Sequence, residues 1–188
     1  MLQTIYSEYL ERYVKYEAFL PTEHALFPER RYPLLLLNDG QDAAALKLDK
    51  VLHDMIADRN MAPAVVIAVH CGERKQEYGV AGVPDYAGRG SKATLYSNFL
   101  IEELMPVLEV NYPILGDSAS RCIAGFSLGG LSAFDIAWKH PNLFAKVGVF
   151  SGSFWWRLKS LENGYTPQDR IMHSEVRNTA IKPNLQIW

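Results

Sequence analysis

Ser127 is the residue whose neighbours most clearly suggest chemistry. It stands at the centre of Gly125-Phe126-Ser127-Leu128-Gly129, a Gly-x-Ser-x-Gly pattern. A serine that projects as a nucleophile from the top of a sheet needs a sharp, strained turn between a strand and a helix. Glycines two residues before and after it lack a Cβ, so strand and helix can approach there without collision. The pattern therefore predicts a nucleophilic serine suited to acyl transfer.

The flanking segments supply the context that such a turn requires. Residues 121–124 form a short, mostly apolar run typical of a buried strand, and residues 131–138 carry large apolar groups at helical spacing. Strand, Gly-x-Ser-x-Gly and helix together predict the nucleophile elbow of an α/β-hydrolase, with Ser127 exposed at the carboxyl edge of the sheet and φ positive. The alternative is a small-residue turn that only packs a helix on a sheet.

Acyl transfer also requires an oxyanion hole of backbone N–H groups. In an elbow of this kind one donor is the residue after the nucleophile, here Leu128. Residues 37–42, Leu-Asn-Asp-Gly-Gln-Asp, follow a buried strand, and Gly40 allows close approach of the backbone. Gln41 N–H is therefore the predicted second donor. A plain strand-to-helix turn is the alternative, since Asp-Gly is a common turn dipeptide.

Aromatic residues follow the strand after the elbow. Trp155 and Trp156 would form the wall of an acyl or aryl pocket, with Tyr86 as a weaker contributor. The alternative expectation is that one of the two tryptophans fills the core beneath the sheet. The basic loop of residues 89–92 receives no role.

A general base for Ser127 is harder to find in the sequence. The histidines and aspartates that follow it are Asp135, His140, Asp169 and His173. His140 precedes a proline and is expected to decorate a helix C-terminus, where a partly positive ring is favourable. His173 lies four residues after Asp169, a spacing that suits a local pair. The earlier histidines are expected to be structural or exposed: His24, His53 and His70.

These residues must be positioned by alternating strands and helices, a pattern that predicts an α/β fold with a mostly parallel sheet covered on both faces. The predicted strands are residues 13–20, 32–37, 63–69, 121–124 and 146–150. The predicted helices are residues 42–59, capped by Asp42, residues 91–110, kinked at Pro106, and residues 131–138. Residues 72–90 are predicted to be a long loop.

Composition agrees with one domain over residues 1–188. The chain is 48% hydrophobic with a net charge of −2, which gives no sign of a nucleic-acid-binding face. No apolar run is long enough to span a bilayer, and the first residues lack a signal-peptide pattern, so the cytoplasm is the expected location. Cys71 and Cys122 give no metal or disulfide spacing. The oligomeric state stays open.

Four segments together resemble the putative-esterase family of α/β-hydrolases, and most of all its enterochelin-esterase-like branch. They are residues 32–42, residues 77–79 with 85–93, residues 123–131, and Phe150-Ser-Gly-Ser-Phe-Trp-Trp156. The resemblance implies an α/β-hydrolase fold and hydrolysis of a small-molecule carboxylic ester, without metal or organic cofactor. It leaves open whether the ester is a siderophore lactone, a feruloyl, an S-formyl or a small acyl ester.

The sequence departs from the family pattern at its C-terminus. Family members carry the catalytic acid after the next strand and the histidine later still, whereas residues 184–188 resemble the start of that strand. The resemblance therefore predicts an incomplete domain whose acid and histidine lie beyond Trp188. The alternative is an inactive α/β-hydrolase scaffold that binds a ligand or partner.

Overall fold

A seven-stranded sheet organises the chain in the computed structural model, which describes residues 2–188. Its strands are β1 (Leu2–Ser7), β2 (Arg12–Phe19), β3 (Leu34–Asn38), β4 (Val65–Val69), β5 (Arg121–Phe126), β6 (Lys146–Phe150) and β7 (Gln186–Ile187). Their order is β1-β2-β4-β3-β5-β6-β7. β1 and β2 are antiparallel to their neighbours, and the other five strands, β3 to β7, run parallel to one another. The predicted mostly parallel α/β sheet is confirmed.

Six helices connect these strands. They are α1 (Leu48–Ala57), α2 (Arg74–Glu77), α3 (Ala93–Asn98), α4 (Met105–Asn111), α5 (Leu128–Lys139) and α6 (Ile171–Asn178). Short 3₁₀ turns include Gly40–Asp42 after β3. The topology is that of an α/β-hydrolase, in which parallel strands bring their carboxyl ends, and the turns that follow them, to one edge.

The two faces of the sheet are covered unequally. On one face, alternate strand residues such as Leu36 and Ile123 join a large core with α3, α4 and α5. On the other face, Leu37 and Ala124 belong to a small cluster against the start of α1. An apolar groove of about 460 Å³ remains on this second face, between α1 and the strands. The principal core therefore lies on the side of α5, the helix that begins at the elbow.

The helix predicted over residues 91–110 is present as three consecutive segments. α3 passes into a π-helical segment, Phe99–Leu104, in which Met105 N–H bonds Leu100 O, and α4 follows. Pro106 has no N–H to donate to the carbonyl four residues earlier, and the wider turn before it accommodates that loss. The irregularity predicted at Pro106 is thus observed immediately before it.

The structure adds one strand to those predicted and corrects two sequence-based expectations. Strand β1 was not predicted; its side chains alternate between exposed and half-buried, so it presents no continuous apolar run. Helix α1 begins at Leu48 rather than at Asp42, because Asp42 lies in a 3₁₀ turn and Lys47 adopts a left-handed φ of 50° before the helix. The predicted loop after residue 72 contains the short helix α2.

Candidate active site

The turn between β5 and α5 has the geometry predicted for a nucleophile elbow. Ser127 has φ 52° and ψ −114°, and it lies exposed at the carboxyl edge of the sheet. A Cβ on Gly125 would come within 2.4 Å of the carbonyl carbon of Gly129, so only glycine fits there. Ser127 N–H donates to Phe150 O at 2.8 Å and ties the turn to β6. Strand, strained serine and helix therefore occur as the sequence predicts.

Ser153 is the polar partner of the elbow serine. The two hydroxyl oxygens, Ser127 Oγ and Ser153 Oγ, are 3.1 Å apart, and Ser153 N–H donates to Ser127 O at 3.0 Å. Ser153 is buried, whereas Ser127 is exposed. Sequence reasoning treated Ser153 only as part of a family segment. Its partnership with Ser127 depends on β5 and β6 lying side by side, which local sequence does not reveal.

The turn after β3 lies at the same edge as the elbow, because β3 and β5 are parallel neighbours. Asp39 adopts a left-handed φ of 62°, and a Cβ on Gly40 would lie 2.4 Å from Ala68 O. The first bond of the following 3₁₀ turn runs from Asp42 N–H to Asp39 O. The N–H groups of Gly40 and Gln41 precede that bond and are first-turn donors without a partner within the turn.

Direct hydrogen bonds join this turn to α5. Asn38 Nδ2 donates to Gly129 O at 2.8 Å, and the Asn38 amide oxygen accepts from Tyr96 OH at 2.8 Å. Gly129 also packs against Asp39, since a Cβ on Gly129 would lie 2.7 Å from Asp39 Oδ2. Asp39 N–H donates to Tyr78 OH at 2.9 Å. The turn after β3 is therefore fixed against the first turn of the elbow helix.

The Asp39 carboxylate is enclosed and neutralised. Arg74, on α2, donates from Nε to Asp39 Oδ1 at 2.8 Å and from Nη2 to Oδ2 at 2.9 Å. Gln41 Nε2 donates to the same carboxylate at 2.9 Å. The hydrogen bond and the negative charge of Asp39 raise the pKa of Arg74, so the guanidinium stays charged. Sequence reasoning missed Arg74, because its partner lies 35 residues away in the chain.

The structure brings both predicted hole donors to one edge. In α5 the first intrahelical hydrogen bond runs from Leu131 N–H to Ser127 O. Leu128 N–H lies before that bond and so has no acceptor within the helix, and Gln41 N–H has the same position in the turn after β3. Their joint action on an oxyanion stays a prediction. An exposed serine in one turn and first-turn N–H groups in both turns are two of the features that acyl transfer requires.

The aromatic residues predicted to line a pocket divide into two kinds. Trp155 and Tyr86 are 46% and 44% exposed, and the Arg89 guanidinium lies 5.3 Å and 5.7 Å from their ring centroids. Trp156 has no exposed surface and packs against Gly79 and Gly90. The assignment of Trp156 to a pocket wall is therefore wrong, and the expectation that one tryptophan fills the core is met by Trp156.

None of the five histidines, all of which lie among residues 2–188, is a hydrogen-bond partner of the Ser127 hydroxyl. His173 packs edge-on against Phe154, and His24 against Tyr32. His70 Nε2 lies 3.3 Å from Glu17 Oε1 on β2, and its ring packs against Gly40 in the turn after β3. The remaining two are His53, exposed on α1, and His140, at the end of α5. Within residues 2–188, the recorded hydrogen-bond partner of the Ser127 hydroxyl is Ser153.

One expectation about acids and histidines is wrong. Asp169 does not pair with His173; its carboxylate accepts from Thr166 and lies 3.2 Å from Lys159 Nζ, because it closes the 3₁₀ turn before α6. His140 lies at the C-terminus of α5, as expected, and burial, followed by the charge of Lys139, lowers its pKa.

The acid closest to the elbow in sequence is also structural. The Asp135 carboxylate on α5 is buried, accepts from Ala81 N–H at 2.8 Å and pairs with Lys139. Burial raises its pKa, an effect that Lys139 opposes. Among the described residues, no group of histidine, cysteine and acidic side chains could hold a metal ion. Nor does that part of the chain contain a helix with the length and apolarity to cross a bilayer.

Known proteins resemble the chain in sequence and in fold. It is 26% identical to the Bacillus subtilis protein YbbA over 129 residues, which is 66% of this chain and 51% of YbbA. It is 28% identical to an endo-1,4-beta-xylanase/feruloyl esterase of Xylanibacter ruminicola over 135 residues, 66% of this chain and 17% of that protein. The structure of Shigella flexneri enterochelin esterase matches with a TM-score of 0.81 and 21% identity, covering 100% of this chain and 44% of the esterase.

The chain thus spans about half the length, or less, of these relatives. The structural likeness establishes the α/β-hydrolase fold, and the family is established by sequence. The model of the family described as Putative esterase matches residues 7–188. Because this match covers nearly the whole sequence, the chain belongs to the Putative esterase family.

Proposed function

We propose that this protein is a serine carboxylic-ester hydrolase that acts through an acyl-enzyme on Ser127. The observation that carries the proposal is the exposed Ser127 in the strained turn after β5, which ends at the same edge of the sheet as the turn after β3; φ is 52° at Ser127 and 62° at Asp39. Family membership and an esterase-like fold support it. The substrate is a small-molecule ester, with Trp155 and Tyr86 beside its acyl or aryl group.

In the proposed reaction, Ser127 Oγ attacks the ester carbonyl carbon and its proton passes to a general base. The carbonyl oxygen becomes an oxyanion that accepts hydrogen bonds from Gln41 N–H and Leu128 N–H. The C–O bond to the alcohol then breaks, and the alcohol leaves with the proton returned by the base. Water attacks the acyl-enzyme by the same route, releases the carboxylate and restores the serine.

The base and its supporting acid are proposed to lie outside residues 1–188. The site supports this proposal, because the hydrogen-bond partner of the Ser127 hydroxyl among residues 2–188 is Ser153 and not a histidine. A serine hydroxyl without a base is a weak nucleophile. We therefore expect residues 1–188 alone to hydrolyse p-nitrophenyl acetate near the background rate and to react slowly with a fluorophosphonate.

Imidazole added to the solution tests both parts of the proposal. It should serve as an external base and accelerate fluorophosphonate labelling of Ser127, as measured by intact mass and peptide mapping. The Ser127→Ala variant is the control and should not be labelled at this peptide under any condition. Equal modification of wild type and variant would contradict the serine mechanism. Rapid labelling without imidazole would show that a base is already present, and His173 would be the first residue to replace.

A further inference from the structure

Arg74 touches both turns of the proposed oxyanion hole. Besides its two bonds to Asp39, its Nη2 donates to Phe126 O at 3.2 Å. Phe126 is the last residue of β5 and immediately precedes the nucleophile. One guanidinium therefore joins the turn after β3 to the elbow after β5, as a planar group with several fixed donors is able to do.

The charge of Asp39 gives this contact a second consequence. Asp39 lies two residues before Gln41, the proposed donor, and Asp39 Oδ2 faces Gly129 in the elbow helix. An unneutralised carboxylate at this place would oppose the negative charge that develops on an ester oxygen. The two bonds from Arg74 place a positive charge against it.

We propose that Arg74 is a positioning residue that holds the Asp39 turn and the Ser127 elbow at a fixed separation and neutralises Asp39 beside the hole. The inference rests on the proposed function of Ser127. Arg74 acts through Asp39 and Phe126 and makes no covalent step. Its loss lets the two donor N–H groups drift apart, and small displacements at a reacting centre have large effects on rate.

Arg12 provides a matched control within the same region. It forms an equivalent two-bond pair with the buried carboxylate of Glu77, at 3.0 Å and 2.7 Å, and Glu77 lies on the same helix, α2, as Arg74. That pair anchors α2 to β2 and makes no recorded contact with either turn. Replacing Arg12 therefore removes a comparable buried ion pair without removing the link between the turns.

The experiment compares Arg74→Gln with Arg12→Gln by hydrogen exchange and by fluorophosphonate labelling in the presence of imidazole. For Arg74→Gln we expect faster exchange in both residues 38–42 and residues 125–130, and labelling of Ser127 slower by about tenfold to a hundredfold. For Arg12→Gln we expect both segments to keep wild-type exchange and the labelling rate to stay within about twofold. Arg74→Lys should restore the rate only in part, because an ammonium lacks the fork that spans three acceptors.

A double variant covers the case in which Arg74→Gln does not fold. Asp39→Asn with Arg74→Gln removes both charges, and the link to Phe126 O is still lost, so exchange should rise in both segments. Exchange that rises only in residues 38–42, with labelling equal to that of Arg12→Gln, would overturn the inference. If wild type is not labelled at Ser127 even with imidazole, while exchange rises in both segments, the link between the turns stands and the proposed function fails.

Discussion

The turns after β3 and β5 share one backbone design and use their side chains in opposite ways. Each has a residue with positive φ, Asp39 or Ser127, and a glycine within two residues of it at which an added Cβ would lie 2.4 Å from backbone atoms. The Asp39 side chain is buried and held by Arg74, whereas the Ser127 hydroxyl is exposed and touches Ser153. The comparison separates a turn whose side chain fixes the structure from one whose side chain is left free to react.

The shared backbone design predicts the largest effect. Gly125→Ala and Gly40→Ala should each lower the free energy of unfolding by about 3 kcal/mol, because the new Cβ meets backbone that cannot move aside. Gly116→Ala is the control, since nothing lies within 4 Å of its Cβ position, and it should be neutral or slightly stabilising. Urea denaturation measures all three. Equal midpoints would show that neither turn requires its glycine.

The opposite use of the side chains predicts an intermediate effect. Asp39→Ala should lower the free energy of unfolding by about 2 kcal/mol, because it removes charged hydrogen bonds from Arg74. Ser127→Ala keeps the same backbone strain and loses an exposed hydroxyl, so its stability should stay within about 0.5 kcal/mol of wild type. Thermal or urea unfolding of both variants checks this. A larger loss for Ser127→Ala would reverse the assignment of roles.

The smallest expected effect is on the alkylation rates of the two cysteines, of which only Cys71 lies near the Asp39 carboxylate. Burial and then the charge of Asp39 raise the pKa of Cys71 to about 11. Burial also raises the pKa of Cys122 to about 11, without a contribution from Asp39. Both thiols should therefore alkylate slowly at pH 8 in the folded protein, because the thiolate is the reactive form. Asp39→Asn should speed iodoacetamide modification of Cys71 and leave Cys122 unchanged. Equal acceleration of both would indicate general loosening of the fold.

The elbow could be predicted from the sequence because its cause is local. Two glycines around a serine, after an apolar run and before a helix, determine the positive φ of Ser127 without distant contacts. The strands β3 to β6 were predicted for a similar reason, since buried strands are continuous apolar runs. The turn after β3 was assigned to the elbow's edge by one further rule, that an α/β-hydrolase takes its second oxyanion donor from the loop after an early central strand, and β3 is indeed the parallel neighbour of β5.

The remaining features depend on pairs that are distant in the chain. Arg74 meets Asp39 across 35 residues, and Ser127 meets Ser153 across 26, so no local pattern marks either partner. Asp169 and His173 had a suitable spacing, yet the helix begins only at Ile171, after Asp169 has already capped the preceding turn. Trp156 and Trp155 are adjacent in sequence but opposite in burial, which only the packing against Gly79 and Gly90 decides.

The central claim is that the two turns together form an oxyanion hole for Ser127. A crystal structure of the protein after reaction with an aryl fluorophosphonate tests it most directly. The account predicts a phosphonyl group on Ser127 Oγ whose oxygen lies about 3 Å from both Gln41 N and Leu128 N. A phosphonyl oxygen directed away from the Asp39 turn, or an adduct on another residue, would contradict it.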